Sequence, residues 1–136
     1  MSQLRRFSVS IKNTLLERFD EFVKKRNYPT RSKAISDLIA ASVAEEAWRG
    51  DADVAGAVVL VYDHHRNDLS RRLTVIQHDF HHLIISTQHV HLDHDNCLEI
   101  IVVKGEPEKV KKLSYLLRGE KGVKHGSLVM TSVGLD

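Results

Sequence analysis

The first 48 residues combine one alternating segment with two stretches of helical periodicity. Residues 5–11 alternate between apolar and polar side chains, which is the period of a strand with one buried face. Apolar residues then recur at helical spacing in 15–23 and, after a break at Pro29, in 34–43. The pattern predicts a strand followed by two helices.

The remainder of the chain alternates between strand and helix periods. The predicted elements, in order, are a strand at 55–63, a helix at 67–85, strands at 86–93 and 97–105, a helix from 106, and a strand at 126–133. A βαββαβ order is the ferredoxin-like arrangement, a four-stranded sheet with two helices on one face. The sequence therefore predicts an α+β protein with two domains, 1–49 and 50–136, joined where small, turn-favouring residues collect.

Charge and histidine content support this division. Residues 1–50 carry ten Lys/Arg against six Asp/Glu, whereas residues 51–136 carry ten against twelve. Eight of the nine histidines lie between His64 and His94, and none precedes them. A basic half joined to a histidine-rich half indicates two domains with different chemistry.

The composition is that of a folded protein of a reducing compartment. Hydrophobic residues make up 42% and charged residues 28% of the chain. No apolar run approaches the roughly 20 residues that span a bilayer, and the start lacks the apolar segment of a signal peptide. Because a single cysteine cannot form an internal disulfide, we expect a cytoplasmic protein without membrane contact.

A strand and two helices in about 45 residues bury too little surface to fold alone. Two copies solve the problem when their strands pair into an antiparallel ribbon. Such a ribbon fits the major groove of DNA, and its outward side chains would be Arg6, Ser8 and Ser10. Arg31 and Ser32 begin the second helix, where a phosphate oxygen is attracted. The alternative is a solvated edge strand with a helical hairpin.

Strand parity selects a metal-binding set from the segment QHVHLDHDNCLEI, residues 88–100. His89 and His91 project from the same face of a strand, and Cys97 joins them if the connecting loop has an odd number of residues. Two imidazoles and a thiolate favour a late transition metal. The alternatives are surface histidines beside a buried cysteine, or a thiol nucleophile with its base. Because no orienting group or oxyanion motif accompanies the pair, we predict no enzyme.

His78 is the best candidate for a fourth ligand. It lies two positions from Ile76 and two from Phe80, about 200° around a helix from each. If those two residues face the sheet, His78 faces away from it. We therefore expect His78 to reach the histidines of a neighbouring subunit rather than its own.

The strand–helix–helix order resembles the ribbon-helix-helix repressors. The segment QHDFHHLIISTQHVHLDHDNCLEIIVVKG, followed by GVKHG, resembles the regulatory domain of the NikR family of nickel-responsive regulators. The resemblance extends over essentially the whole chain. It implies a homotetramer in which ribbon-helix-helix dimers flank a core of ferredoxin-like domains of the ACT type.

The resemblance also implies how nickel is bound. One Ni(II) per subunit would lie between two regulatory domains in a square-planar set of three histidines and one cysteine. The implied ligands are His89, His91 and Cys97 of one chain and His78 of another, and the implied partners of those ligands are Gln77, Glu99, Tyr62 and His64. By the same resemblance Arg6, Ser8 and Ser10 read bases, and Arg31 and Ser32 contact the DNA backbone.

One position departs from the family pattern. Relatives often carry an acid four positions before Asp37, where it helps to hold a second cation between the domains, but this chain has Lys33. An ammonium group there would repel a cation or replace it by a salt bridge to Asp37. We therefore do not expect the interdomain cation site.

These observations predict a nickel-dependent repressor of nickel-uptake genes that binds a palindromic double-stranded operator. An alternative is a regulator that senses copper, cobalt or zinc, or a small molecule such as an amino acid, through the ACT-type domain. A third possibility is a metal-buffering protein or an enzyme without a role in DNA binding.

Overall fold

The computed structural model describes residues 3–66 and 68–132. Two units can be distinguished, one that ends at Val43 and one that begins at Ala44. This division falls earlier than the predicted one, because Trp48 is buried in the core of the second unit. Its indole N–H donates a hydrogen bond to the carbonyl oxygen of Thr131 over 2.7 Å.

Among its described residues, the first unit contains two helices as regular structure. Helix α1 spans Asn13–Lys25, and helix α2 spans Arg31–Ala47, so that the last turn of α2 belongs to the second unit. The hydroxyl oxygen of Thr30 accepts the backbone N–H of Lys33 at 3.1 Å and caps α2. The predicted pair of helices is thus present.

The predicted strand at residues 5–11 is not formed within this chain. Residues 3–12 are neither helix nor strand. A strand is stabilised by ladder hydrogen bonds to a neighbour, and the described part of the first unit contains no second strand to supply them. The alternating pattern records a preference for a strand but cannot provide its partner.

The second unit has the predicted βαββαβ order. Its elements are β1 (Val54–Tyr62), α3 (Leu69–Asp79), a 3-10 turn (His81–Leu83), β2 (Ile84–His91), β3 (Cys97–Gly105), α4 (Pro107–Arg118) and β4 (Val123–Thr131). The strands form one sheet in the order β2-β3-β1-β4, and all neighbours pair antiparallel. This is the strand order expected when two βαβ halves interlock around the central strands.

Helix α3 ends earlier than the sequence predicted. The helical spacing of Leu83 and Ile84 suggested a helix to residue 85, but α3 stops at Asp79. Leu83 still reaches the core from the 3-10 turn, and Ile84 begins β2. Burial at helical spacing therefore did not require one continuous helix. The predicted helix start at Asn67 and strand end at Val133 lie outside the described residues.

The core of the second unit lies between one face of the sheet and its two helices. Alternate residues of β1 and β3 are buried, as their strand period requires. They pack with residues of α3 and α4, and this core contains Val58, Leu60, Tyr62, Leu69, Leu73, Cys97, Ile101, Val103, Leu113 and Leu117. Among the described helices, none is long and apolar enough to cross a bilayer.

Candidate metal centre

The β2–β3 hairpin places the predicted donors on one face of the sheet. His91 lies opposite Cys97, and His89 lies opposite Glu99. Residues 92–96 connect the two strands, so the connection has the odd length that this arrangement needs. Directly opposed residues of an antiparallel pair point to the same side. The geometric condition for a site with His89, His91 and Cys97 is therefore met.

Strand β1 extends this arrangement into the core. Tyr62 lies opposite Cys97, and Leu60 lies opposite Glu99. Cys97 and Glu99 are buried, whereas the two histidines of β2 are exposed. The face that carries the donors is thus the helix-covered face, and its edge at β2 opens to solvent.

The thiol of Cys97 is protonated and shielded. Its sulfur lies 3.3 Å from the carbonyl oxygen of Tyr62, to which it donates a hydrogen bond. Burial raises the pKa of Cys97 above its ordinary value. Because the thiolate is the form that binds metal, binding here must release a proton.

Glu99 joins helix α3 to the sheet beside the histidines. Its carboxylate accepts a hydrogen bond from the phenol of Tyr62 at 2.5 Å and another from the side-chain amide of Gln77 at 2.6 Å. Burial, and then the hydrogen bond to Glu99, raise the pKa of Tyr62, so the phenol stays a donor. Gln77 precedes His78 in the chain, so this network fixes the backbone next to the fourth predicted ligand.

The imidazoles of this region form a chain of ring contacts. Ring centroids lie 5.7 Å apart for His89 and His91, and 4.9 Å apart for His64 and His91. The ring of His89 also lies 6.0 Å from that of Tyr62. Burial lowers the pKa of His64, and its solvent-shielded Nδ1 has no hydrogen-bond partner among the described residues. Imidazoles next to a thiol are a donor set that suits a late transition metal.

His78 stands apart from this cluster. It lies exposed in the last turn of α3, with its ring 6.0 Å from that of His81. Within the described part of one chain, no group of three donors within 4.8 Å of one another contains His78, and none unites His89, His91 and Cys97. One chain thus offers the predicted donors without gathering all of them.

Two other groups of donors do lie within 4.8 Å of one another in the described residues. One is Asp63, His64 and His65, and the other is His65, His94 and Asp95. No role was predicted for His65 or His94 from the sequence. The predicted topology could have indicated this proximity, because it places both histidines in connections at the same end of the sheet.

The predicted DNA-contacting residues of the first unit are exposed. Arg6, Ser8 and Ser10 all lie in the segment before α1, and Ser32 lies in the first turn of α2. Arg31 is exposed but paired, since its Nε and Nη2 each donate to a carboxylate oxygen of Asp20 over 2.8 Å. That hydrogen bond lowers the pKa of Asp20. No period or motif in the sequence indicated this pair, which joins α1 to α2.

Lys33 forms the salt bridge that its position suggested. Its Nζ lies 2.6 Å from a carboxylate oxygen of Asp37, one helical turn away. The hydrogen bond raises the pKa of Lys33 and lowers that of Asp37. Asp37 therefore already has a cationic partner in Lys33.

Comparison with known proteins identifies the family. Residues 55–131 match the family model described as the NikR C-terminal nickel-binding domain. A nickel-responsive regulator by name from Syntrophus aciditrophicus is 55% identical over 134 residues, which is 98% of each chain. Another from Desulfovibrio desulfuricans is 54% identical over 136 residues and covers 100% of this chain and 99% of its own. The chain belongs to the NikR family of nickel-responsive regulators.

NikR membership confirms the resemblance read from the sequence and the prediction that the chain is a regulator rather than an enzyme. Among solved structures, an uncharacterized protein from Thermotoga maritima superposes with a TM-score of 0.53 at 18% identity. The match covers 58% of this chain and 98% of that one. At that identity the likeness concerns the fold alone.

Proposed function

We propose that this chain is a nickel-dependent transcriptional repressor of nickel-uptake genes that acts in the cytoplasm. Its regulatory part is an ACT-type ferredoxin-like domain, and its first part is a ribbon-helix-helix domain that binds a palindromic operator. The working assembly is a homotetramer, a dimer of dimers with one Ni(II) per subunit. The observation that carries the proposal is the register that sets His91 against Cys97 and His89 against Glu99 on one face.

The ligands would be His89, His91 and Cys97 from one chain and His78 from a neighbour. Nickel, when bound, supplies a cross-link between two regulatory domains. The exposure of His89 and His91 at the β2 edge supports this arrangement, because a second chain can approach there. The exposure of His78 in the last turn of α3 supports it from the other side.

Glu99, Gln77 and Tyr62 would position the ligands. Glu99 lies opposite His89 and anchors Gln77, the residue before His78. A buried carboxylate with two strong hydrogen bonds holds β3 and α3 in fixed geometry. Side chains that orient metal ligands in this way affect affinity nearly as much as the ligands do.

The first unit would bind DNA as a dimer. Its alternating segment exposes both sets of side chains in the single chain, with Phe7 71% and Val9 63% exposed. Pairing two such segments would bury the apolar set and leave Arg6, Ser8 and Ser10 outward for the major groove. Arg31 and Ser32 would contact the backbone at the start of α2.

Metal binding and operator binding would be linked by a coupling free energy. Metal strengthens operator binding only to the extent that it binds the DNA-competent state more tightly than the other states. His78 and Gln77 adjoin on α3, so fixing His78 in a neighbour's site restrains the helix that Glu99 already holds. We propose that this restraint selects the assembly in which both ribbons face one operator.

Nickel-dependent operator binding tests the proposal. The upstream region of a neighbouring transporter operon serves as the DNA in a shift assay with full-length protein. Nickel should tighten binding of the wild type, and Arg6→Ala should abolish the sequence-specific part. Lys24→Ala is the matched control, because it removes the same charge from α1 and should cost only the general electrostatic contribution. Unchanged binding by Arg6→Ala would refute the ribbon assignment.

A second candidate is a regulator that responds to another transition metal or to a small molecule through the ACT-type domain. The same nitrogen and sulfur donors bind copper, cobalt and zinc, and affinity alone follows the Irving–Williams order. The shift assay repeated with each metal and with amino acids decides between the candidates. A DNA response to one of those ligands but not to nickel would establish the alternative.

A further inference from the structure

The end of α2 is held in the core of the second unit by Trp48, the single tryptophan of the chain. Its side chain is 1% exposed and belongs to the hydrophobic cluster of that unit. The indole N–H donates to the carbonyl oxygen of Thr131 on β4 over 2.7 Å. Ala44 is also buried, and Ala47 packs against the same cluster. The last turn of α2 is therefore part of this core and not a loose connection.

Strand β1 leaves the space that the indole occupies. Gly56 of β1 has no side chain, and a Cβ at this position would lie 3.2 Å from Cζ2 and 3.3 Å from Cη2 of the Trp48 ring. Because protein interiors are close-packed, a larger residue at position 56 would displace the ring. The glycine and the tryptophan thus fit one another as a specific contact.

A lysine of α4 holds the same residue from another side. Nζ of Lys111 donates a hydrogen bond to the carbonyl oxygen of Trp48 at 3.0 Å. The last carbonyl groups of a helix have no partner within it, and the helix dipole favours a cation there. Lys111 also lies 3.4 Å from a carboxylate oxygen of Glu108, and its side chain is only 26% exposed. Two hydrogen bonds thus join Trp48 to β4 and to α4.

Strand β1 runs from this contact to the proposed nickel site. Gly56 lies near the start of β1, and Tyr62 at its end lies opposite Cys97. The strand pairs with β3 on one side and with β4 on the other, so its backbone is held along its length. Six residues of strand span about 20 Å. One continuous core contains Trp48, Tyr62 and Cys97.

We propose that Trp48 is a positioning residue through which nickel controls DNA binding, an inference that rests on the proposed function. Helix α2 begins at Arg31, one of the proposed contacts to the DNA backbone, and contains neither Gly nor Pro, at which helices usually kink. Trp48 holds the other end of this helix in the domain that binds nickel. A restraint that nickel places on that domain reaches α2 through the indole and through Lys111.

The competing route is the covalent connection between Trp48 and β1, residues 49–53. These residues are exposed and form neither helix nor strand. If the connection carried the effect of nickel, its length would matter and the contacts of Trp48 would not. Exposed connections tolerate insertions at a small cost in stability. Lengthening the connection therefore separates the two routes.

The test measures how much nickel tightens operator binding by the full-length protein, as the ratio of the affinities with and without saturating Ni(II). Trp48→Phe keeps an aromatic ring but removes the N–H donor, and Lys111→Met keeps the apolar stem but removes the ammonium group. Each should lower the ratio by about fivefold, as expected for one lost hydrogen bond. Nickel affinity in the absence of DNA should be unchanged in both, because neither residue contacts the proposed ligands.

Trp48→Ala should nearly abolish the nickel response, and its nickel–thiolate absorption band shows whether the second unit has folded. Lys112→Met is the matched control, since Lys112 is the exposed neighbour of Lys111 on α4, and it should leave the ratio unchanged. Insertion of a glycine pair between Gly50 and Asp51 should also leave it unchanged. The proposal is overturned if the insertion abolishes the nickel response, or if Trp48→Phe and Lys111→Met respond as the wild type does.

Fluorescence of Trp48 reports the contact independently of DNA. Acrylamide should quench it poorly with and without nickel, and equally poorly in the insertion variant, because the indole is buried. Efficient quenching in the wild type would overturn the proposal. A wild type whose operator binding ignores nickel refutes the proposed function and this inference with it. A responsive wild type with equally responsive Trp48 and Lys111 variants overturns the inference alone.

Discussion

The two units of this chain differ in how far each completes its own core. In the second unit, fourteen buried residues of the part that the structure describes form one cluster. In the first, Ala34 is the one buried residue among residues 3–43, and α1 has none. Apolar side chains that the pattern predicts to be inside are instead exposed there, including Phe7, Val9, Leu15, Ile39 and Val43.

The difference shows that a single chain completes the core of the second unit but not that of the first. The second unit covers one face of its sheet with its own helices, and it leaves His89 and His91, two of the proposed metal ligands, exposed at the β2 edge. The first unit leaves a hydrophobic face without cover, and a second copy with the same face is the cover that its predicted strand pairing would bring. Under the proposed function, another chain completes both the apolar face of the first unit and the metal site of the second.

The largest loss of stability is expected on truncating Phe7, which is exposed in the single chain but which we expect to be buried between two chains. Phe7 is 71% exposed in the single chain, yet Phe7→Ala should lower the free energy of unfolding by about 3–5 kcal/mol, as for a buried phenylalanine. Urea unfolding of the full-length protein measures the change. Leu4→Ala, at a fully exposed position outside the alternating segment, should change it by less than about 0.5 kcal/mol. Small and equal losses of stability for Phe7→Ala and Leu4→Ala would show that Phe7 is not buried in the assembled protein.

A core truncation in the second unit should be of similar or slightly smaller size. Leu60→Ala removes a fully buried side chain of β1 and should cost about 2–5 kcal/mol. Leu116→Ala makes the same truncation at a 43% exposed position of α4 and should cost less than about 1 kcal/mol. The same unfolding curves give both values. Similar losses of unfolding free energy for the two leucine substitutions would show that Leu60 is not part of the core of this unit.

A smaller effect is expected for Glu99→Gln, which alters the surroundings of the proposed metal ligands. Glu99→Gln keeps the shape of the side chain but replaces one acceptor oxygen with an amide, so one of the donors from Tyr62 and Gln77 loses its partner. We expect nickel affinity to fall by about 10–100-fold, measured by competition with a chelator. Glu108→Gln, on the exposed side of α4, is the matched control and should leave affinity unchanged. Wild-type affinity in Glu99→Gln would remove Glu99 from the account of the site.

Much of the second unit could be predicted from the sequence because its information is local. Alternation fixed the face of each residue in β3, and the parity of the 92–96 connection placed Cys97 with His91. The end of α3 could not be predicted, because Leu83 reaches the core from a 3-10 turn as well as a helix would. Periodicity indicates which residues are buried, but it does not indicate the secondary structure in which they lie.

The features that the sequence missed depend on contacts between distant segments. Asp20 and Arg31 meet across two helices, and His65 meets His94 across two connections. No period or motif joins such pairs, since each pair is brought together only by packing. The strand of the first unit is a different case, because its partner is predicted to lie in another chain.

We propose that the nickel site is built from two chains, and mixing two inactive variants tests this most directly. His78→Ala lacks the ligand from α3, and Cys97→Ala lacks the thiol, so neither alone should give the nickel–thiolate absorption band. After the two are unfolded and refolded together, a chain with Cys97 can meet a neighbour with His78. Random pairing should restore the band to roughly a quarter of the wild-type intensity. A mixture that stays without the band, while refolded wild type regains it, would contradict the account.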